Sequence, residues 1–235
     1  MSIINLYQFE TDNVGDLNCS PCQYFDYDAE KFDIKRSMHE RVPAADAYIV
    51  GGGGAPRTMK YPLPGVKIAW GIGTTHRSGQ FADFDLVGSR DKDHPEFAEW
   101  VPCASCMSPL FDEEYEVKHG KIFYSPSAPD RPDCMTNQGR PMEQVIEFLG
   151  SGEVVVTDSY HGAYWATLLG KITVIVNPHS AKFYQYKHQP VVIEDGTNPP
   201  ITPYVFPAAL QECRNANIRF NAKVQDCIRN GSTQR

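Results

Sequence analysis

The 235-residue sequence predicts an α/β protein made of two Rossmann-like lobes, each built on a parallel sheet. Three observations predict it. Short, continuous apolar runs of strand length recur along the chain, which is the pattern of strands covered on both faces. They end in turns bearing glycine or aspartate, and helical stretches follow them, as in consecutive βα units. The same rhythm then repeats in the second half. We expect a first lobe over residues 1–115, a second over 116–206, and a C-terminal helical region and tail over 207–235.

In the first half, Ile3 to Phe9 reads as a strand with Asn13-Val14-Gly15-Asp16 as its turn. Ala47-Tyr48-Ile49-Val50 is a buried strand running into Gly51 to Gly54, and Val66 to Trp70 another, ending in Gly71-Ile72-Gly73. Asp85 to Gly88 is a fourth, followed by Ser89-Arg90-Asp91. In the second half, Lys121 to Tyr124 is a strand and residues 125–140, rich in Pro, Asp and Asn, a loop. Pro141 to Leu149 fits a helix, with Pro141 in its first turn, Met142, Val145, Ile146 and Leu149 at helical spacing, and Gly150 as its stop. Glu153 to Thr157, Ile172 to Val176 and Pro190 to Ile193 read as strands, Tyr160 to Leu169 as a helix stopped by Gly170, and Pro207 to Ile228 as a closing helix.

Composition excludes several classes. A hydrophobic fraction of 41% and an aromatic fraction of 11% are those of a chain that can bury a core. The formal net charge of −7 argues against a non-specific nucleic-acid binder, which would carry a basic surplus. No run approaches the roughly 18 apolar residues of a membrane span, and no basic-then-apolar leader opens the chain. Seven cysteines, an odd count, fit reduced thiols in a cytosol better than a disulfide framework. We therefore expect a cytoplasmic protein, in peripheral contact with the inner membrane face where its acceptor is lipid-linked.

The segment Thr157-Asp158-Ser159-Tyr160-His161-Gly162 carries the strongest chemical signal. Val154-Val155-Val156 is a central strand, and Asp158 or Ser159 is placed to cap the helix that follows. That helix has hardly any polar face, so it is buried, and its N-terminus lies at the carboxyl edge of the sheet where open α/β folds bind ligands. Amides and the positive dipole end favour an anion there, and Gly162 would let it approach the backbone. His161 is then an acid or a charged anion clamp; the alternative is that it only caps or packs.

Other positions are weaker. Gly52 and Gly53 could admit a ligand to the backbone or form a plain flexible turn. Arg90 offers a guanidinium for carboxylate or phosphate, or a surface pair with Asp91. Asn13 and Asp16 could hold a substrate hydroxyl or make an Asx turn. Thr74, Thr75, His76 and Arg77 could contact an acceptor or form a solvated loop. Cys19-x-x-Cys22 and Cys103-x-x-Cys106 could make a four-cysteine zinc site only if tertiary structure joined them; packed or loop thiols are the default, and no metal is expected.

Taken in order, Asn13-Val14-Gly15-Asp16, Ile49 to Gly53, Gly71-Ile72-Gly73, Ser89-Arg90-Asp91 and Val155 to Gly162 resemble the polysaccharide pyruvyl transferase family over roughly residues 3 to 190, with Lys182 and Phe183 similar to a later family segment. The resemblance implies a GT-B-like pair of lobes with the active site in the cleft between them. It implies transfer of the enolpyruvyl unit of phosphoenolpyruvate onto two hydroxyls of a sugar, free or lipid-linked, as a pyruvate ketal in a capsular or exopolysaccharide repeat unit. No cofactor beyond this donor is implied. Arg90 and His161 take the family's donor-linked positions, with Ser159, Tyr160, Gly162, Asn13, Gly52, Gly53 and Lys182 as further substrate contacts, and Asp158 or Asp16 for the acceptor hydroxyl. Ser159 stands where some members carry an arginine, which Lys182, His179 or Arg57 would have to replace. The chain is also short for the family, which implies a trimmed lobe. A nucleotide-sugar glycosyltransferase of the same fold is the competing enzyme reading, and an inactive scaffold in polysaccharide assembly the competing non-enzymatic one.

Overall fold

Apolar strands that need cover on both faces assemble here into two all-parallel sheets. The computed structural model describes residues 1–52, 61–74, 81–129, 131–194 and 204–233. Gly53, Gly54, Arg57, Thr75, His76 and Arg77 fall outside the described residues. Strands β1 (Ile3–Tyr7), β2 (Ala29–Asp33), β3 (Ala47–Gly51), β4 (Val66–Ile72), β5 (Leu86–Ser89) and β6 (Glu99–Trp100) form the first sheet in the order β2-β1-β3-β4-β5-β6. Strands β7 (His119–Tyr124), β8 (Cys134–Met135), β9 (Gly152–Thr157), β10 (Ile172–Val176) and β11 (Val191–Ile193) form the second, ordered β11-β10-β9-β7-β8. Every pairing is parallel.

Numbered within each sheet, both follow one plan: the second strand lies beside the first, and the third and later strands extend from the other side. This is the doubly wound order in which the chain reverses direction across the sheet, and ligands bind at the carboxyl ends of the two strands flanking that reversal. Those strands are β1 and β3 in the first sheet, β7 and β9 in the second.

The chain divides into two compact units. The first is Met1–Thr11 with Asp16–Ser105 and Cys213–Arg235; the second is Asp12–Gly15 with Cys106–Glu212. The junction at Ser105 and Cys106 lies ahead of the expected 115/116 boundary, and most of the C-terminal helix belongs with the first unit. The reason is packing. Helix α4 (Ala209–Thr233) places Phe220, Val224 and Ile228 in one cluster with Ile49, Ile68 and Trp70 of the first sheet. Gly88 of β5 permits the close approach, since a Cβ there would lie 3.0 Å from Phe220 Cζ. On the opposite face Leu6, Tyr48, Val50, Ala69 and Ile72 make a second cluster, so alternate residues of β3, and of β4 as far as Trp70, enter different cores. Burying each large apolar side chain contributes about 1.5–3 kcal/mol, which is why these strands tolerate so few polar positions.

A four-residue helix, α1 (Val14–Leu17), follows β1, and in the second unit the crossovers are helices α2 (Met142–Gly150) and α3 (Tyr160–Leu168). The loop expected over residues 125–140 contains the two-residue edge strand β8, which pairs with Phe123 and Tyr124 and is too short to leave a periodic signal. Pro141 is the N-cap of α2 rather than part of its first turn.

Candidate functional site

The second sheet reverses between β7 and β9, whose last residues, Tyr124 and Thr157, are register partners. The next residues build the start of α3. Between the two capping candidates the structure selects Ser159: its backbone is extended, and its Oγ accepts from Gly162 N at 3.3 Å. Thr157 Oγ1 in turn accepts from Ser159 N at 3.0 Å. The end of the strand and the first helical turn are thus one hydrogen-bonded piece. All nine residues of α3 are buried, matching the absence of a polar face in the sequence.

Gly162 serves packing. A Cβ there would lie 2.6 Å from Thr157 Oγ1 and 3.0 Å from Tyr124 Cε1, so the room made by the missing side chain is filled by the strand ends. Asp158 is left without capping duty, and its Oδ1 is buried with no hydrogen bond among the described residues. The hydroxyl of Tyr124 is likewise buried with no partner among the described residues, and burial pushes this phenol up, so it stays a protonated donor. Nothing in the sequence distinguished Tyr124 from a core tyrosine.

His161 is only 6% exposed. Its ring lies 5.2 Å from that of Trp165 one helical turn on, and 5.5 Å from Tyr160 in an edge-on arrangement. Tyr160 stacks on Tyr186 at 4.7 Å, and the Tyr186 hydroxyl donates to Tyr160 O at 2.9 Å, tying the segment after β10 to the start of α3. From a further side the imidazole meets Gly15, where a Cβ would come within 2.5 Å of His161 Cγ. Asn13 uses its Oδ1 to accept from Gly15 N at 2.9 Å, making the Asx turn that was one of its two readings. Lys182 lies in a short 3-10 turn, Ala181–Tyr184, with its Nζ 5.0 Å from the Phe183 ring centroid; the exposed His179 packs on the same ring.

The expected site residues therefore fall into two sets. Asn13, Asp158, Ser159, Tyr160, His161, Gly162 and Lys182 belong to the second unit, and Asp16, Gly52 and Arg90 to the first. Arg90 follows β5 and rests against Gly73, where a Cβ would lie 3.4 Å from its Nε. Beside it is a buried polar knot. Asp91 Oδ2 accepts from Thr74 N at 2.6 Å, Thr74 Oγ1 and Ser89 Oγ share a hydrogen bond of 2.7 Å, and Ser89 Oγ accepts from Asp91 N. Asp91 thereby fastens the end of β5 to the loop after β4.

Gly52 adopts φ +61°, and a Cβ there would lie 2.6 Å from Cys19 Sγ. At the first sheet's reversal, then, the glycine turn accommodates a thiol. The Cys19 thiol donates to Asp16 O at 2.9 Å, and Ser105 donates to Cys103 Sγ at 3.2 Å. None of the seven cysteines is in a disulfide, and no group of three or more metal-ligating side chains occurs among the described residues. Burial pushes the Cys19 thiol up, with Cys103 and Asp16 adding to the shift and Arg90 opposing it. Burial also pushes Cys103 up, against the hydrogen bond from Ser105, and pushes Cys22 up to about 12. A raised thiol pKa means the folded state holds more protons than the unfolded one above the ordinary value of about 8.5. Stability is then fully present below that pH and falls as pH rises towards the folded-state values. Urea midpoints should drop progressively above about pH 9, and Cys19→Ser should reduce the slope; a midpoint flat with pH would refute the assignment.

No protein-family model matches the chain, and no curated protein matches it. The fold and the geometry define a class: an α/β protein with two doubly wound parallel sheets, one carrying a buried histidine in the first turn of the helix at its reversal point. No described helix is long and apolar enough to cross a membrane.

Proposed function

We propose that the protein is a ketal pyruvyltransferase, moving the enolpyruvyl unit of phosphoenolpyruvate onto two hydroxyls of a sugar in a cell-surface polysaccharide, in the cytoplasm. The observation that carries this reading is His161, buried in the first turn of α3 at the carboxyl end of β9 and enclosed by Trp165, Tyr160 and Gly15. A helix N-terminus at a sheet reversal favours a phosphate, and a fixed imidazole there suits an acid or a phosphate clamp.

The chemistry requires a proton delivered to the methylene carbon, cationic character at the neighbouring carbon, attack by a sugar hydroxyl and departure of phosphate. A second hydroxyl closes the ketal. On this reading His161 supplies the proton or holds the phosphate, and Arg90 grips the donor's carboxylate or phosphate. Asp158 is the better of the two carboxylates for receiving the hydroxyl proton, because its buried Oδ1 has no hydrogen bond among the described residues.

The test begins with thermal shift against phosphoenolpyruvate and, in parallel, nucleotide sugars. Phosphoenolpyruvate alone should raise the melting temperature; stabilisation by a nucleotide sugar alone would select the glycosyltransferase reading. Phosphate release from phosphoenolpyruvate with a panel of methyl hexopyranosides should then fall at least about 100-fold in His161→Ala. Near wild-type transfer by that variant would sink the assignment.

A further inference from the structure

We infer that the segment Asn13-Val14-Gly15, the start of helix α1, positions the imidazole of His161, with Gly15 as the positioning residue. Four observations converge. The segment is part of the second unit although the strand before it, β1, is part of the first. It is held there by backbone bonds on either side of Asn13, from Gly139 N to Asp12 O at 2.8 Å and from Val14 N to Asn137 O at 3.0 Å, with Asn13 and Gln138 forming an isolated antiparallel bridge. Val14 is fully buried, which removes the freedom of the turn to lift away. Within it, Asn13 Oδ1 holds the Gly15 amide at 2.9 Å.

Gly15 is thus set against the imidazole so closely that any side chain would meet it, with 2.5 Å from a built Cβ to His161 Cγ and 2.9 Å to His161 Cβ. The opposing atoms are not the far end of a flexible chain. They are Nδ1, Cγ and Cβ of a histidine whose ring Trp165 and Tyr160 already confine, so an added methyl has to move the ring or the Gly15 backbone. Asn13 acts through this turn and is itself a positioning residue.

The catalytic half of the test rests on the pyruvyltransferase reading; the spectroscopic half does not. The ring resonances of His161, assigned by their loss in His161→Gln, are followed against pH in the whole chain. In Gly15→Ala they should be displaced, with a changed titration midpoint. In Asn13→Ala, which adds no volume, they should broaden as the turn loosens. Gly120→Ala is the control, since a Cβ there meets nothing within 4 Å, and it should leave the ring unmoved. With phosphoenolpyruvate and a methyl hexopyranoside, Gly15→Ala should lose about 100-fold in kcat with KM for the donor little changed, the cost of misplacing one reacting group. If Gly15→Ala fails to fold, Asn13→Ala decides alone. His161 resonances superimposable on wild type in the folded variants would overturn the inference. A wild-type protein that transfers no pyruvyl group would overturn the proposed function, and the ring shifts would still decide this one.

Discussion

Replacing Trp70 by alanine is expected to cost about 3–5 kcal/mol, a large part of the roughly 5–15 kcal/mol by which a domain is ordinarily stable. The indole is 1% exposed and sits at the centre of an aromatic group, 5.1 Å from both Phe25 and Phe220 and 6.3 Å from Tyr27. Its Nε1 donates to Asn217 Oδ1 at 2.8 Å, inside a cluster from which Asn217 also donates to Cys213 O and Pro102 O. Truncation removes the largest side chain between β4 and α4 and the hydrogen bond that orients Asn217. Helix α4 should lose protection first, because it contributes Phe220, Val224 and Ile228 to that same cluster. Urea unfolding monitored by far-UV dichroism, with limited proteolysis of α4, checks both statements. A loss below about 1 kcal/mol would mean the surroundings had collapsed into the space, and the central role given to the indole would be lost. Trp70→Phe, which keeps most of the ring contact and drops the N–H, should fall between wild type and alanine.

The parts of the fold that were legible in the sequence are those where burial is two-sided. Ala47 to Val50 is a short apolar run because neighbouring residues enter opposite cores, and Ile172 to Val176 is one because its three middle residues are all buried. The missed strands are edges. β2 reads Ala-Glu-Lys-Phe-Asp and leaves Glu30 and Lys31 exposed, while β6 and β8 are two residues long, so none produces an apolar run or a period. The affiliation of α4 was hidden for a different reason: amphipathic spacing reports that a helix has a partner face without saying which sheet supplies it. At the candidate site, the position of the Thr157 to Gly162 segment followed from a strand, a cap and a helix start in sequence. The division of labour within it did not. Ser159 takes the cap and leaves Asp158 without that role, and Gly15 and Tyr124 come against His161 and Gly162 only because the fold joins segments far apart in the chain.

Gly162→Ala separates two reasons for having a glycine in the first turn of α3, because they predict opposite signs. Were the glycine dispensable, alanine would stabilise the helix by about 0.8–1 kcal/mol through propensity alone. The geometry opposes this, since the new Cβ would press on Thr157 Oγ1 and on the Tyr124 ring, both at the ends of paired central strands. Overpacking of this kind costs about 1–3 kcal/mol, which outweighs the propensity gain over most of its range. The displacement would also be transmitted directly. Thr157 Oγ1 holds Ser159 N, and Ser159 Oγ holds Gly162 N, so pushing the helix off the strand loosens the cap and moves His161, the intervening residue. Ser159→Ala provides the comparison: it removes the cap, worth about 1 kcal/mol, without adding volume. Thermal melts should therefore place Gly162→Ala at or below Ser159→Ala. Pyruvyl transfer should fall further in Gly162→Ala, by about 100-fold, since a misplaced catalytic group costs more rate than a frayed cap. A Gly162→Ala protein that melts above wild type and retains transfer would show that the strand ends yield to a methyl group, and the close packing of α3 would then no longer explain the glycine.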